Sequence, residues 1–348
     1  MPSTPSYTRT ILWLDPQQVA FAHHIAQTVP LKVIAWGFPP GARPAADDPT
    51  EAFPDATRFD NPRRILRDNE PAFFLQLSGA PAADAPGDGP PSDDPEFMEE
   101  CRDRAITVAS LEPTPATASA CSEFSHAGAP DPAHIIPLIR DTSAWRDAAE
   151  AIEHFGPIRT VTISCRAPAR TGSLAARLLD AMHLFHALLG LPESIDAAHA
   201  APSAPGGGPP VTSRSLRRIR GDLTANLRVG LQRAASLTVS DRAGQWFRGV
   251  TLLAESGCLR LDERGFEHHD PEGALIASSS VEPERLHPDA AVDAVSHTLR
   301  RLLDHHRPPM APIDHRTILA MCEAAVLSAA TGQAESPQTI LQIARGGL

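Results

Sequence analysis

Lysine occurs once in these 348 residues, at Lys32, and tyrosine once, at Tyr7. Arginine stands nearly everywhere else that a cation is needed, and with 35 prolines this points to a GC-rich coding bias. Such a bias exchanges surface lysines freely. It should spare a lysine whose amine moves a proton, because a guanidinium stays protonated. No run of Lys or Arg offsets the formal charge of -11, so a phosphate backbone or an anionic membrane would be repelled. No stretch approaches the roughly 18 apolar residues of a membrane span, and the opening MPSTPSYTRT has no apolar signal core. The reading is a cytoplasmic protein. Five widely spaced cysteines without a C-x-x-C exclude a zinc signature and suit thiols in a reducing compartment. No G-x-S-x-G, P-loop or Cys-His arrangement is present, which leaves hydrolase and NTPase readings without support.

The length accommodates two domains. Residues 9–113 alternate short apolar runs with helical stretches, the pattern of a parallel sheet built by crossover helices. TILWL (Thr10 to Leu14), LKVIAW (Leu31 to Trp36), AFFLQL (Ala72 to Leu77) and Ala105 to Ser110 read as strands. Gln17 to Thr28, Pro62 to Asn69 and Glu96 to Arg104 read as helices. Two acidic segments rich in Pro and Gly, 37–49 and 79–95, read as exposed loops.

From Cys121 the pattern changes. Ser143 is a candidate N-cap for a helix over Ala144 to Phe155, Ile158 to Cys165 alternates as a strand, and Leu174 to Leu189 is a helix. Five short alternating segments follow between Leu223 and His268, the signature of an antiparallel sheet, and then helices over Asp289 to His305 and Asp314 to Thr331. The expected fold is an α/β Rossmann-type parallel-sheet domain over 1–120, followed by an α+β domain with an open, mostly antiparallel sheet over 121–348. The helix 314–331 is a candidate to pack back on the first domain.

The order of these elements, with GSLAARLLDAMHLFHALLGLPESIDAAH (Gly172 to His199), the sheet run from Gly221 to Glu267 and a closing helix ending in AATGQAESP (Ala329 to Pro337), resembles the glucose-fructose oxidoreductase / inositol dehydrogenase (Gfo/Idh/MocA) family. The resemblance implies NAD or NADP as cofactor, a small polar substrate in the interdomain cleft and a homo-oligomer formed through the open sheet. It names four positions, and this chain departs from the family pattern at each.

Where the family has a G-x-G-x-x-G turn after the first strand, this chain has Leu14-Asp15-Pro16-Gln17-Gln18-Val19. Asp15, Gln17 and, at the fifth strand, Pro113 hold the cofactor-binding positions. Yet Asp15 puts a carboxylate where phosphates would lie and Pro16 lacks an amide, so the sequence predicts dinucleotide binding weaker than millimolar or absent. At the end of the second strand, where the family places an acidic residue, Gly37-Phe38-Pro39 stands; Arg43 nearby is either a contact for a 2'-phosphate or a solvated charge. The family's E-K-P becomes Leu111-Glu112-Pro113, putting Glu112 at the catalytic lysine, either as an acid or base with a raised pKa or as a loop residue. Counting back from Gly190 sets Ala176 and Asp180 at the family's aspartate and histidine, and His183 one turn on. Asp180 and His183 are then a reactive pair facing a cleft or an i,i+3 pair on a solvated surface. Adjacent histidines at 23–24, 268–269 and 305–306 point apart, and no metal site is predicted.

Two functions follow. One is a non-catalytic member that binds a small polar ligand or assembles with a catalytic relative. The other is an active oxidoreductase on a sugar, polyol or related substrate that uses Asp180, His183 and Glu112. A deep cleft floored by these residues favours the second; a cleft filled by side chains or by the 79–95 loop favours the first.

Overall fold

The computed structural model describes residues 7–39, 42, 47–79, 90–122, 133–201, 216–282, 287–304, 306 and 312–346. Arg43, His305 and the glycine- and proline-rich stretch 202–210 lie outside the described residues.

The first sheet has the order β3-β2-β1-β4-β5-β6 and every pairing is parallel. Its strands are β1 (Thr8–Trp13), β2 (Leu31–Gly37), β3 (Thr57–Phe59), β4 (Phe73–Gln76), β5 (Thr107–Ser110) and β6 (His134–Ile135). The helices α1 (Val19–Thr28), α2 (Pro49–Ala52), α3 (Pro62–Asp68) and α4 (Pro95–Asp103) lie between them. Side chains alternate across a strand, so a strand between two helical layers is apolar on both faces. Leu12, Leu14, Phe73 and Leu75 accordingly enter one core with α1, while Ile11, Trp13 and Phe74 enter the other with α3 and α4.

The second domain runs α5 (Ser143–Asp147), α6 (Ala149–His154), β7 (Thr160–Pro168), α7 (Leu174–Leu189) and β8 (Ser194–Ala200). It continues through β9 (Asp222–Val229), β10 (Arg233–Ser240), β11 (Arg242–Ala254), β12 (Gly257–Asp262), β13 (Gly265–His269) and β14 (Leu275–Ser280) to α8 (Ala290–Leu303), α9 (His315–Thr331) and α10 (Pro337–Gly346). Its eight strands have the order β14-β13-β12-β11-β7-β10-β9-β8, antiparallel apart from the parallel pairing of β7 with β10. One face, with Val161, Ile163, Cys165, Leu223, Leu227 and Leu237, packs on α7 and α9. The other face is polar and open, carrying Thr162, Ser164, Thr251 and Arg260 together with Phe247.

Three expectations change. β6 pairs with β5 although it lies past residue 120, so the first sheet is completed from beyond that boundary. The helix that enters the core of the first domain is α8. Val292, Val295 and Leu299 enter the core of α1, whereas Leu319, Met321 and Cys322 of α9 are buried among α7 and the second sheet. α9 reaches towards the first domain through Glu323, which accepts the Ala118 amide at 2.7 Å. The helix expected over Ala144 to Phe155 is two helices meeting at Ala148, and its cap is Thr142, whose hydroxyl accepts the Trp145 amide at 3.2 Å.

Candidate functional site

Helix α7 begins at the strand ends of the first sheet and runs beneath the second. Ser173 caps it, its hydroxyl accepting the Ala176 amide at 3.2 Å, and Gly190 ends it in a backbone conformation (φ 80°) that a side chain resists. Ser173, Arg177, Asp180 and His183 follow at spacings of four, three and three, which is one helical face, and all four are buried.

After β1 the chain makes a single 3-10 turn, Pro16–Gln18, before α1. The Asp15 amide donates to Oε1 of Gln18 at 2.9 Å, and the Ser78 hydroxyl donates to Oδ2 of Asp15 at 2.7 Å. Gln18 Nε2 reaches the Leu77 carbonyl at 3.0 Å and the Arg170 carbonyl at 3.3 Å, tying the turn to the second domain. Burial pushes the Asp15 carboxyl up, against the opposing effects of the Ser78 hydroxyl and Arg220. Gln17 is exposed on the outside of the turn. These residues do not fit a pyrophosphate: one amide is missing at Pro16, another is taken by Gln18, and a carboxyl occupies the approach. The side chain that organises the turn is Gln18, which closes a capping box with Asp15, and the Asp-x-x-Gln spacing is the signal that could have found it.

At the end of β5, Glu112 is buried at 4% exposure, so it is not an exposed loop residue. Its Oε1 accepts the Ser173 amide at 2.8 Å and its Oε2 accepts the Ser173 hydroxyl. The carboxyl thus sits on the N-terminus of α7, where the helix dipole favours negative charge. Burial still pushes its pKa up; Ser173, Arg220 and Arg177 pull the other way. A Cβ on Gly79 would lie 2.5 Å from the Glu112 Cβ, so the end of β4 closes directly against it. Pro113 is buried, and its carbonyl accepts Nη2 of Arg217 at 2.8 Å while the same guanidinium pairs with Asp93. Asp93 belongs to the described end of the 79–95 stretch, where Pro90, Pro91 and Ser92 are buried rather than exposed as expected.

Deeper along α7, Arg177 lies 4.4 Å from the Trp246 ring centre and donates from Nη2 to the Thr171 carbonyl at 3.3 Å. Its Nε and Nη1 are buried without a hydrogen-bond partner among the described residues. Burial lowers its pKa. Asp180 accepts the Ile139 amide at 2.8 Å on Oδ1 and Nη1 of Arg248 at 3.1 Å on Oδ2. Arg248 also pairs with Glu263 and donates to the Pro137 carbonyl at 3.1 Å. Burial pushes the Asp180 carboxyl up while Arg248 holds it down. The expected Asp180–His183 pair is therefore not made: the carboxylate turns to β11 and the 137–139 segment, and Nδ1 of His183 is buried without a partner among the described residues. Nor is either residue on a solvated surface. Burial, then Arg140, His186 and His315, depresses His183 to about 3, the opposite of the rise that an aspartate partner would cause. Sequence reasoning missed Ser173 and Arg177, although a serine just before an apolar run is a capping signal that could have found the first. No such signal marks Arg217 or Arg248, which arrive from distant segments.

Among the described residues, no group of three His, Cys, Asp or Glu side chains is placed to hold a metal ion, and no helix is long and apolar enough to cross a membrane.

No protein-family model matches the sequence, and the curated proteins yield no match. Solved structures do match over nearly the full length. Levoglucosan dehydrogenase, in complex with NADH and L-sorbose, aligns with a TM-score of 0.66 and 12% identity over 95% of this chain and 99% of its own. The myo-inositol dehydrogenase of Corynebacterium glutamicum aligns with a TM-score of 0.57 and 15% identity, over 95% and 99%. The myo-inositol 2-dehydrogenase of Lactobacillus plantarum gives 0.61 and 13%, over 95% and 99%. With its six-stranded parallel sheet and mostly antiparallel eight-stranded sheet, this chain has the two-domain fold of Gfo/Idh/MocA-type dehydrogenases, in a divergent sequence.

Proposed function

We propose that this chain uses an oxidoreductase-like fold without conventional NAD(P)-dependent hydride transfer, as a protein that binds a small polar ligand or assembles with a catalytic relative. The observation that carries the reading is at Glu112. The position matched to the family's lysine holds a buried carboxyl, and both of its oxygens are engaged by Ser173. A carboxyl so bound to its neighbour has no free proton donor to offer a substrate carbonyl. The turn at Asp15, Pro16 and Gln18 adds to this, since its polar atoms are directed to one another and to the second domain. The test is calorimetry of the purified chain with NAD(H) and NADP(H). Binding weaker than millimolar supports the reading; micromolar binding of either cofactor overturns it.

A second reading, an active oxidoreductase on a sugar or polyol, is favoured by the fold neighbours themselves, one of which was solved with NADH and L-sorbose. In that case Glu112, Asp180 and His183 would carry the chemistry, and Arg177, with two buried N–H groups unpartnered near Glu112, would be the residue available to an oxygen of the substrate.

A further inference from the structure

A cavity of about 530 Å³ opens beside β6, the edge strand of the first sheet, and is walled by the 138–141 segment, α5, the middle of α7, the end of α8 and the start of α9. It lies three helical steps along α7 from Ser173, which holds the Glu112 carboxyl, and beyond the Asp180–Arg248 pair. Its size is that of a small-molecule site.

The charge of this cavity runs against that of the molecule. The chain carries -11 overall, yet Arg140, Arg146 and Arg301 line the cavity against a single carboxylate, Asp141. Asp141 pairs with Arg301 at 3.3 Å, and Arg146 turns one nitrogen to His297 at 3.1 Å. Two positive charges are left without a carboxylate among the lining residues. The polar atoms are incomplete in the same place. Nδ1 of His183, Nδ1 of His315 and Nε of Arg140 are all buried and have no hydrogen-bond partner among the described residues. Buried polar groups are ordinarily satisfied, so three orphans around one cavity mark a lining whose hydrogen bonding the described residues leave incomplete. Burial holds both imidazoles in the neutral form, His183 at about 3 and His315 at about 4, so each ring keeps one N–H to give. Leu138 and Trp145 supply apolar wall between these groups. Guanidinium forks together with neutral imidazole donors match the planar or tetrahedral oxygens of a carboxylate or phosphate, and the walls match an apolar body.

We propose that this cavity binds a small organic oxyanion, a carboxylate or phosphate ester on an apolar body, at a site separate from the strand-end cleft. The proposal does not depend on whether a dinucleotide binds. It is tested on the full chain by calorimetry with two probes, inorganic phosphate and benzoate. The expected result is saturable binding of at least one, with a dissociation constant in the millimolar range or tighter, and competition between the two where both bind. Arg140→Gln should weaken it about ten-fold, the loss of one charge-assisted contact. Arg146→Gln, at an exposed position, repeats the test should the first variant fail to fold. Phosphate alone binding identifies a phosphate ester as the ligand class, and benzoate alone a carboxylate. No saturable binding of either probe, or binding unchanged in the folded variants, overturns the proposal.

Discussion

Ser173 gives both its amide and its hydroxyl to the carboxyl of Glu112 while the same hydroxyl accepts the Ala176 amide. One residue thus caps α7 and fastens the second domain to the end of β5. The consequences can be measured on Glu112 first. Glu112→Ala should destabilise the protein by about 1–3 kcal/mol, the cost of leaving buried Ser173 donors unpaired, as read by denaturant melts. Glu112→Gln keeps the shape and should be nearly neutral at acid pH. Because burial raises the folded-state pKa, ionisation opposes folding. Wild type should therefore lose stability relative to Glu112→Gln as pH rises above the ordinary value of 4.5. A difference that grew instead on acidification would contradict a raised pKa.

Asp180 should be a residue of stability. Replacing it by alanine strands Arg248 without one of its two carboxylates, in a site 2% exposed, and the expected loss is about 3–5 kcal/mol. Since Asp180 and His183 do not touch, a double-mutant cycle between Asp180→Asn and His183→Ala should give a coupling within about 0.5 kcal/mol of zero. Coupling above about 1 kcal/mol would restore the pair.

The turn at Asp15 predicts that about 1 mM NADH leaves the melting temperature unchanged. A ligand present at ten times its dissociation constant would add about 1.4 kcal/mol, a shift that thermal melts resolve. Such a shift would show that the turn accommodates the pyrophosphate after all.

We expect the open face of the second sheet to join two or more copies. Phe247 and Leu253, 39% and 40% exposed, lie on that face along β11 in register with Arg166 and Thr160. Light scattering should report an oligomer at micromolar concentration, and Phe247→Glu should reduce it to a monomer. A wild-type monomer would remove this interface.

The elements legible in the sequence are those whose signals are local. Helix α7 occupies Leu174–Leu189 as read, because a capping serine and a terminal glycine stand at its ends and an apolar periodicity between them. β1 and β4 were legible as continuous apolar runs, since a central parallel strand is covered on both faces. β3, β6, β8, β14 and α10 were not. His134–Ile135 is two residues long and β14 is largely exposed, so both are strands because a neighbour offers hydrogen bonds and not because of their composition.

For the site the division is sharper. The sequence by itself determined that the glycine turn and the catalytic lysine are replaced, and which residues stand in their positions, because these are facts of residue type at a counted spacing. What those residues do was decided by contacts across the chain. Glu112 meets Ser173, Asp180 meets Arg248, and Asp93 meets Arg217, at separations of 61, 68 and 124 residues. Whether a carboxyl is a solvated charge or a buried, hydrogen-bonded one depends on which side chain arrives opposite it. That depends on the register of β11 and on where the second domain sets the start of α7, and neither is written in the residues nearby.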